Sequence, residues 1–401
     1  MVTWLSSEVA AARLGVSRAT LYAYVSRGLV RSTPAPGHPR QRRYAAEDVD
    51  SLRSRSEERR DPVKIGERAL HWGVPVLESA ITLIENGRLY YRGYDVAELA
   101  RTRTVEEVAA LIWTGGFDVG VFAAIQLHVV AGTRTSEGLP FVSRAQSVLP
   151  LVAARDALAF DLRPRAVAHT GWRILNLLSS IAAESSELED SIEETLHKRW
   201  VPRTLHSTEL LRAALIVSAD HELNVSSFSA RCVASAGANP YAVVVAGLAA
   251  IEGIKHGGIS ARVETMFDEL RRARDVRKAL GERLRRGEPV VGFGHPLYPA
   301  GDPRATVLME MLAKRFPKSA DLAFARTVAR AGEEVTGEKP TIDFALVALA
   351  RALKLAPGAP LALFALGRSI GWIGHALEQY ARDEIIRPRA RYVGPPPVEQ
   401  T

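Results

Sequence analysis

The stretch Thr104-Val-Glu-Glu-Val-Ala-Ala-Leu-Ile-Trp113 decides the fold class. Its Thr is placed to cap a helix, and two acidic residues follow in the first turn, where the helix dipole favours them. Ser207-Thr-Glu-Leu-Leu-Arg-Ala-Ala-Leu-Ile-Val217 repeats the arrangement and predicts a second helix with Ser207 as its cap. Tyr241 to Ile251, the longest apolar run, carries Gly247 and several alanines and reads as a buried helix. Alternation of period two is confined to Ile81 to Tyr91, a hairpin around Asn86-Gly87. The expected body is therefore mainly α.

Working outward, 401 residues with 47% hydrophobic and 24% charged side chains exclude a disordered or fibrous chain and suit two or three packed domains. No window reaches the ~18 apolar residues of a membrane span. The opening Met1-Val-Thr-Trp-Leu-Ser-Ser-Glu8 lacks a basic region followed by an apolar run, so neither targeting nor insertion is expected. Cys232 is the one cysteine, which excludes an intrachain disulfide and a Cys-based zinc site and points to a reducing cytoplasm. The net charge is +7, and 13 basic against 8 acidic side chains between Met1 and Leu70 place a surplus of 5 in the first sixth of the chain. A basic module on a nearly neutral body follows from that asymmetry.

The module reads as a helix-turn-helix. Ser7 to Leu14 forms a short helix stopped by Gly15, and Ser17 caps a second, Arg18 to Ser26, stopped by Gly28, with Val9, Leu14, Val16 and Leu21 available for a shared core. A Pro-rich basic loop, Thr33 to Arg43, precedes Tyr44 and a helix from Ala46. Leu21-Tyr-Ala-Tyr-Val-Ser-Arg-Gly-Leu-Val30 and Arg43-Tyr-Ala-Ala-Glu-Asp-Val49 resemble the winged helix-turn-helix of MerR-like and excisionase-like proteins. That resemblance makes Arg18, Thr20, Tyr22, Arg40, Arg42 and Arg43 the candidate DNA contacts, with the second helix in the major groove. The alternative is an assembly domain with solvated arginines. A boundary is expected near Asp61-Pro62, after the charge run Arg53 to Arg60.

In the body, four histidines stand in distinctive surroundings: His221 in Ala219-Asp-His-Glu-Leu-Asn224, His256 in Lys255-His-Gly-Gly258, His295 in Gly292-Phe-Gly-His-Pro296, and His375 in a continuous helical pattern. Small neighbours at His256 and His295 let a ligand approach, whereas His375 reads as a core histidine. No His-Glu-x-x-His or comparable ligand spacing occurs, so no metal is expected. Arg304 and Arg368, and Arg387 in Ile386-Arg-Pro-Arg389, sit beside Gly or Pro and suit planar recognition of a di- or tricarboxylate, each otherwise a surface ion pair. Asp343 in Pro340-Thr-Ile-Asp-Phe344 is either a helix cap, which spacing alone favours, or a desolvated base.

From Glu78 to Gly394, the order of these segments, with Leu89-Tyr-Tyr-Arg-Gly-Tyr-Asp95, Asp302-Pro-Arg304 and Phe364-Ala-Leu-Gly-Arg-Ser-Ile-Gly-Trp372, resembles the citrate synthase family. The least similar stretch is Val142 to Arg203. The resemblance implies an all-α homodimer that condenses acetyl-CoA with oxaloacetate, or propionyl-CoA to give 2-methylcitrate, with the acyl-CoA as substrate and no cofactor. It makes Asp343 the base, His256 the donor to the enol oxygen and His295 the donor to the ketone. His221, Arg304 and Arg368 would hold substrate carboxylates, Arg387 would reach in from the second subunit, and Asn224 and Ser226 would orient. It places a large domain at 61–259 and 357–401 and a closing small domain at 260–356, with the module at 1–60. Ala242 to Gly253 suits the dimer interface. Two departures fall near the expected CoA site: Pro296 and Pro299 where basic residues are common, and Ile259-Ser260-Ala261 where Ala-Asn-Glu is common. A different reading makes the chain a metabolite-sensing DNA-binding regulator with a synthase-like body.

Overall fold

The computed structural model describes residues 4–35, 38–50, 52, 77–122 and 138–397, the side chains of 38–40 excepted. The charge run Arg53 to Arg60, the boundary at Asp61-Pro62 and the side chain of Arg40 lie outside that description. The chain divides into two compact units, Met1–Glu78 and Ser79–Thr401.

In the first unit, helix α1 (Ser7–Leu14) begins at Ser6, whose hydroxyl accepts from Val9 N–H, and ends at Gly15 in the left-handed region. Helix α2 (Arg18–Ser26) is capped by Ser17, which accepts from Thr20 N–H. Strands β1 (Trp4–Ser6), β2 (Ser32–Ala35) and β3 (His38–Ala45) form an antiparallel sheet in the order β1-β3-β2, so β2 and β3 make the wing. The core is Ala10, Ala11, Leu21, Val30, Tyr44 and Val49, with Leu14 partly buried against it. Val9, expected in this core, is 49% exposed because α1 turns Ala10 and Ala11 inward. Arg31 ties the wing to residues 46–50, which are helical: Nε and Nη2 donate to Asp48 Oδ2 and Oδ1, both at 2.9 Å.

The second unit opens on a meander of β4 (Thr82–Glu85), β5 (Arg88–Tyr91) and β6 (Tyr94–Asp95), with Asn86 and Gly87 at positive φ in its first turn. The rest is helical: α3 (Val96–Thr102), α4 (Val105–Thr114), α5 (Phe141–Ala153), α6 (Pro164–Ala183), α7 (Ile192–Trp200), α8 (Ser207–Ser218), α9 (Val225–Ser235) and α10 (Pro240–Ile251), followed by α11 (Ile259–Arg272), α12 (Val276–Arg285), α13 (Pro303–Arg315), α14 (Ala320–Thr336), α15 (Ile342–Leu353) and α16 (Ala359–Arg382). Thr104 and Glu107 complete a capping box at α4. Ser207 does not cap α8. His206 holds that position at φ 63°, and the buried Ser207 hydroxyl donates to Thr204 C=O and pairs with His197 Nδ1. A tertiary partner has taken the oxygen that the local pattern assigned to a cap.

Helix α16 is the spine, buried along most of its length and packed on α8, α9 and α10. Its glycines allow backbone contact. Gly371 N–H donates to Ala219 C=O at 3.0 Å, and a Cβ there would meet that oxygen at 2.4 Å. Among the described residues no helix is long and apolar enough to cross a membrane.

Candidate active site

Four chain segments converge. Tyr91, buried on β5, gathers the end of α8: its hydroxyl donates towards Ile216 and Asp220 carbonyls at 3.1 and 3.0 Å and accepts from Asp220 N–H at 3.1 Å. This holds the turn that presents His221. Asp220, also buried, accepts from Thr82 Oγ1 at 2.6 Å and pairs with His375 Nε2 at 3.2 Å. Burial pushes its carboxyl up, but His375 and Arg368 outweigh that and hold it below the usual range. His375 is thus a core histidine, as expected, with a polar task.

The second segment is the α10–α11 turn carrying His256. Asn224 Oδ1 caps α9, accepting from the Ser226 and Ser227 N–H groups and lying 2.7 Å from Ser226 Oγ, which lies 2.8 Å from His256 Nε2. The one Ser226 hydroxyl proton can serve only one of these partners. Asn224 Oδ1 can only accept, so the proton goes there and His256 donates Nε2–H to Ser226 Oγ.

The third segment is the loop at His295. Gly292 C=O accepts from Thr341 N–H and Gly294 N–H donates to Lys339 C=O, both at 2.9 Å, a short antiparallel bridge that sets His295 beside the start of α15. Gly294 sits at φ 75°, where a Cβ would run into Glu338. Leu297 N–H donates to His295 Nδ1 at 3.2 Å, so the neutral ring carries its proton on Nε2. Tyr298 lies between two histidines, 2.9 Å from His221 Nε2 and with its ring 5.0 Å from that of His295. Burial first, then the Arg304 and Arg368 charges, drives His221 well below the usual imidazole range. The same causes bring His256 to about 4, and burial followed by Arg304 brings His295 to about 4. Both rings are neutral at pH 7.

The fourth component is the charged floor. Asp302 caps α13 and takes the Arg304 fork, Nε to Oδ1 at 2.9 Å and Nη2 to Oδ2 at 2.8 Å, while Oδ2 also accepts from Ile342 N–H at 3.0 Å. Arg368 is 1% exposed, with Nε donating to Ser218 C=O at 2.7 Å and Nη2 buried without a hydrogen-bond partner. Burial lowers its pKa to about 10, and it stays charged at pH 7. A buried guanidinium with an unmet donor fits an anionic ligand.

Asp343 stands at the second position of α15, Thr341 holds the cap position without a side-chain bond, and Asp302 Oδ2 takes the Ile342 N–H. The cap favoured by spacing therefore gives way to the desolvated carboxyl. Protein encloses Asp343 while part of its surface stays accessible, and burial raises it to about 6 against the hydrogen bond from Ser260 and the charge of Arg304. His256 and His295 are likewise partly accessible, and the Arg304 charge acts on all three. Arg387 is exposed beyond α16 and is not brought to this cluster within the chain. Among the described residues no three His, Cys, Asp or Glu side chains are gathered as metal ligands would be.

In the amino-terminal unit, Arg18 and Tyr22 are exposed on α2 at 57% and 53%, with Arg18 lying 3.6 Å from Glu8. Thr20 Oγ1 is 2.9 Å from Ser17 Oγ, Arg42 donates to Ser32 Oγ at 2.9 Å, and Arg43 Nε is buried without a partner. Sequence reasoning passed over Tyr298, Asp302, Asp220 and Tyr91 as functional groups. Asp302 alone had a local signal, an Asp-Pro-Arg run at a helix start.

Stacked helices that gather His221, His256 and His295 about the buried charges of Arg304 and Arg368 suit an enzyme acting on an anion. A family model, "Citrate synthase, C-terminal domain", matches residues 69–389, and a helix-turn-helix domain model matches residues 4–56. A citrate synthase of Haloferax volcanii is 30% identical over 358 residues, covering 80% of this chain and 94% of that protein. A 2-methylcitrate synthase of Shewanella oneidensis is 28% identical, covering 78% and 91%. The crystal structure of citrate synthase from Thermotoga maritima aligns with a TM-score of 0.69 at 27% identity, covering 82% of this chain and 96% of that one. The chain belongs to the citrate synthase family and carries an amino-terminal helix-turn-helix domain.

Proposed function

We propose that the body condenses acetyl-CoA with oxaloacetate to give citrate and CoA, with propionyl-CoA and 2-methylcitrate as the close alternative. The observation that carries this reading is that His256, His295 and Asp343, each partly accessible, lie within reach of the Arg304 charge, with the buried Arg368 beside them leaving a donor unmet. A carboxyl near 6 is ionised at pH 7 and basic enough to take a proton. A thioester α-proton is a weak acid, so the enol oxygen needs a donor as it forms. His256 supplies it from Nδ1 once the Ser226 hydroxyl turns its proton from Asn224 Oδ1 to Nε2 and the ring changes tautomer. His295, held with its proton on Nε2, donates to the ketone oxygen as the new carbon–carbon bond forms. Arg368, Arg304 and His221 hold the carboxylates of the keto acid. Water then hydrolyses the thioester.

A homodimer with Arg387 completing the partner's site, closure of 260–356 over the substrates, and a cytoplasmic location complete the proposal. Closure would exclude water before the enol forms. The test is oxaloacetate-dependent thiol release from acetyl-CoA and propionyl-CoA, with kcat/KM deciding between them. No turnover with either overturns the reading.

A second reading concerns the module. Exposed Arg18 and Tyr22 on α2, beside a two-stranded wing, favour DNA as its partner, with the dimer pairing two copies on a two-fold site. Binding that weakens steeply with salt and is lost without residues 1–78 supports it. No binding to any genomic fragment at low salt leaves the module an assembly domain.

A further inference from the structure

The turn that carries His256 runs directly into α11, whose second residue is Ser260. Ser260 is fully buried, and its hydroxyl donates to Asp343 Oδ1 at 2.7 Å across a separation of 83 residues. The same turn closes on His256, with Ile259 N–H donating to His256 C=O and Ser260 N–H to Gly257 C=O, both at 3.0 Å. One turn therefore carries both the backbone of His256 and the hydroxyl that meets the Asp343 carboxyl. Nothing else supplies Asp343 with a side-chain donor among its described contacts. Arg304 and Asp302 from α13 and Arg368 from α16 act on it through charge, and the first two pull in opposite directions.

We propose that Ser260 is the positioning residue of Asp343, holding Oδ1 so that Oδ2 is the oxygen presented to the carbon acid. This rests on the condensation reading above. In that step the Cα–H bond breaks, its electron pair moves into the forming enolate, and the proton bonds to Oδ2, while Ser260 keeps its own proton throughout. An ionised carboxylate is acceptor-only, so the direction of the Ser260 bond is fixed. The bond favours the charged form and offsets part of the cost of enclosure. It also removes the rotation by which the two oxygens would exchange, so each encounter meets the same basic atom.

The experiment reads Asp343 without requiring turnover. A ¹³C titration of its side-chain carboxyl in the full chain, assigned with Asp343→Asn, is expected near 6 in the wild type. Ser260→Ala should raise that midpoint by about one pH unit or more, the size of a lost hydrogen bond to a charged acceptor. Ser260→Thr should restore it. The acidic limb of kcat should move by the same amount, with the KM for oxaloacetate little changed. An unmoved midpoint in Ser260→Ala overturns the proposal, as does a shift that Ser260→Thr fails to reverse. A wild type that titrates as stated yet turns over no acyl-CoA overturns the condensation reading and leaves the positioning role standing.

Discussion

Replacing Arg368 by methionine separates what the site needs from what the fold needs. The guanidinium spends Nε on Ser218 C=O, leaves Nη2 unmet, and sits where burial disfavours its charge more than Asp220 favours it. Asp220 would lose a cationic neighbour but keep Thr82 and His375. With no ion pair for Arg368 among the described residues, its removal relieves the several-kcal/mol cost of burying a charge against the loss of one hydrogen bond and a more distant attraction to Asp220. Thermal unfolding without ligand should therefore show a Tm equal to or above the wild type. Binding should behave in the opposite way. Two charge-assisted hydrogen bonds to a carboxylate, at about 1.5–3 kcal/mol each, correspond to roughly two to four decades of affinity at about 1.4 kcal/mol per decade. Isothermal titration with oxaloacetate measures this directly. An affinity within tenfold of the wild type refutes the assignment of Arg368 to the keto acid, and a collapsed Tm refutes the account of its buried charge.

Asp343→Asn should lower kcat by about 10²–10⁴-fold while oxaloacetate still binds, as thiol-release kinetics and calorimetry together can check. The kcat–pH profile should fall below about pH 6 as Asp343 takes up a proton, because His256 and His295, at about 4, are already neutral there; a limb near 4 would show that another group sets it. Ser226→Ala should reduce kcat far more than the KM for oxaloacetate, since it frees His256 Nε2 while Asn224 still caps α9 through Ser227; equal effects on both would contradict that split. Gly247→Ala would put a Cβ 2.4 Å from Trp372 Cδ2. Overpacking of that kind costs about 1–3 kcal/mol, read as an earlier urea midpoint.

Local chemistry was legible wherever neighbours in sequence are neighbours in space. Ser17, Thr104 and Asn86-Gly87 form the caps and turn that their short-range patterns imply. The same reasoning misassigned Ser207, because His197 and Thr204 compete for its hydroxyl, and Val9, because the apolar stripe of α1 is set by alanines. The convergence of His221, His256, His295, Arg304, Arg368 and Asp343 came from motif order and not from any periodicity. Whether Asp343 caps or titrates could not be read locally, since the answer depends on Asp302 reaching Ile342 and on Ser260 arriving from another helix. Tyr298 carries no pattern of its own until His221 is placed against it.

The grip of Tyr91 on the end of α8 bears on modularity. The meander from Thr82 to Asp95 precedes every catalytic candidate in the chain, yet through Tyr91 and Thr82 it is wired into the turn before His221. It is therefore body and not linker. Recombination that exchanges amino-terminal modules between such proteins is viable only upstream of Ser79. A crossover even a dozen residues later would carry over the helix-turn-helix domain and break the Tyr91 and Thr82 contacts to the turn before His221 in one event.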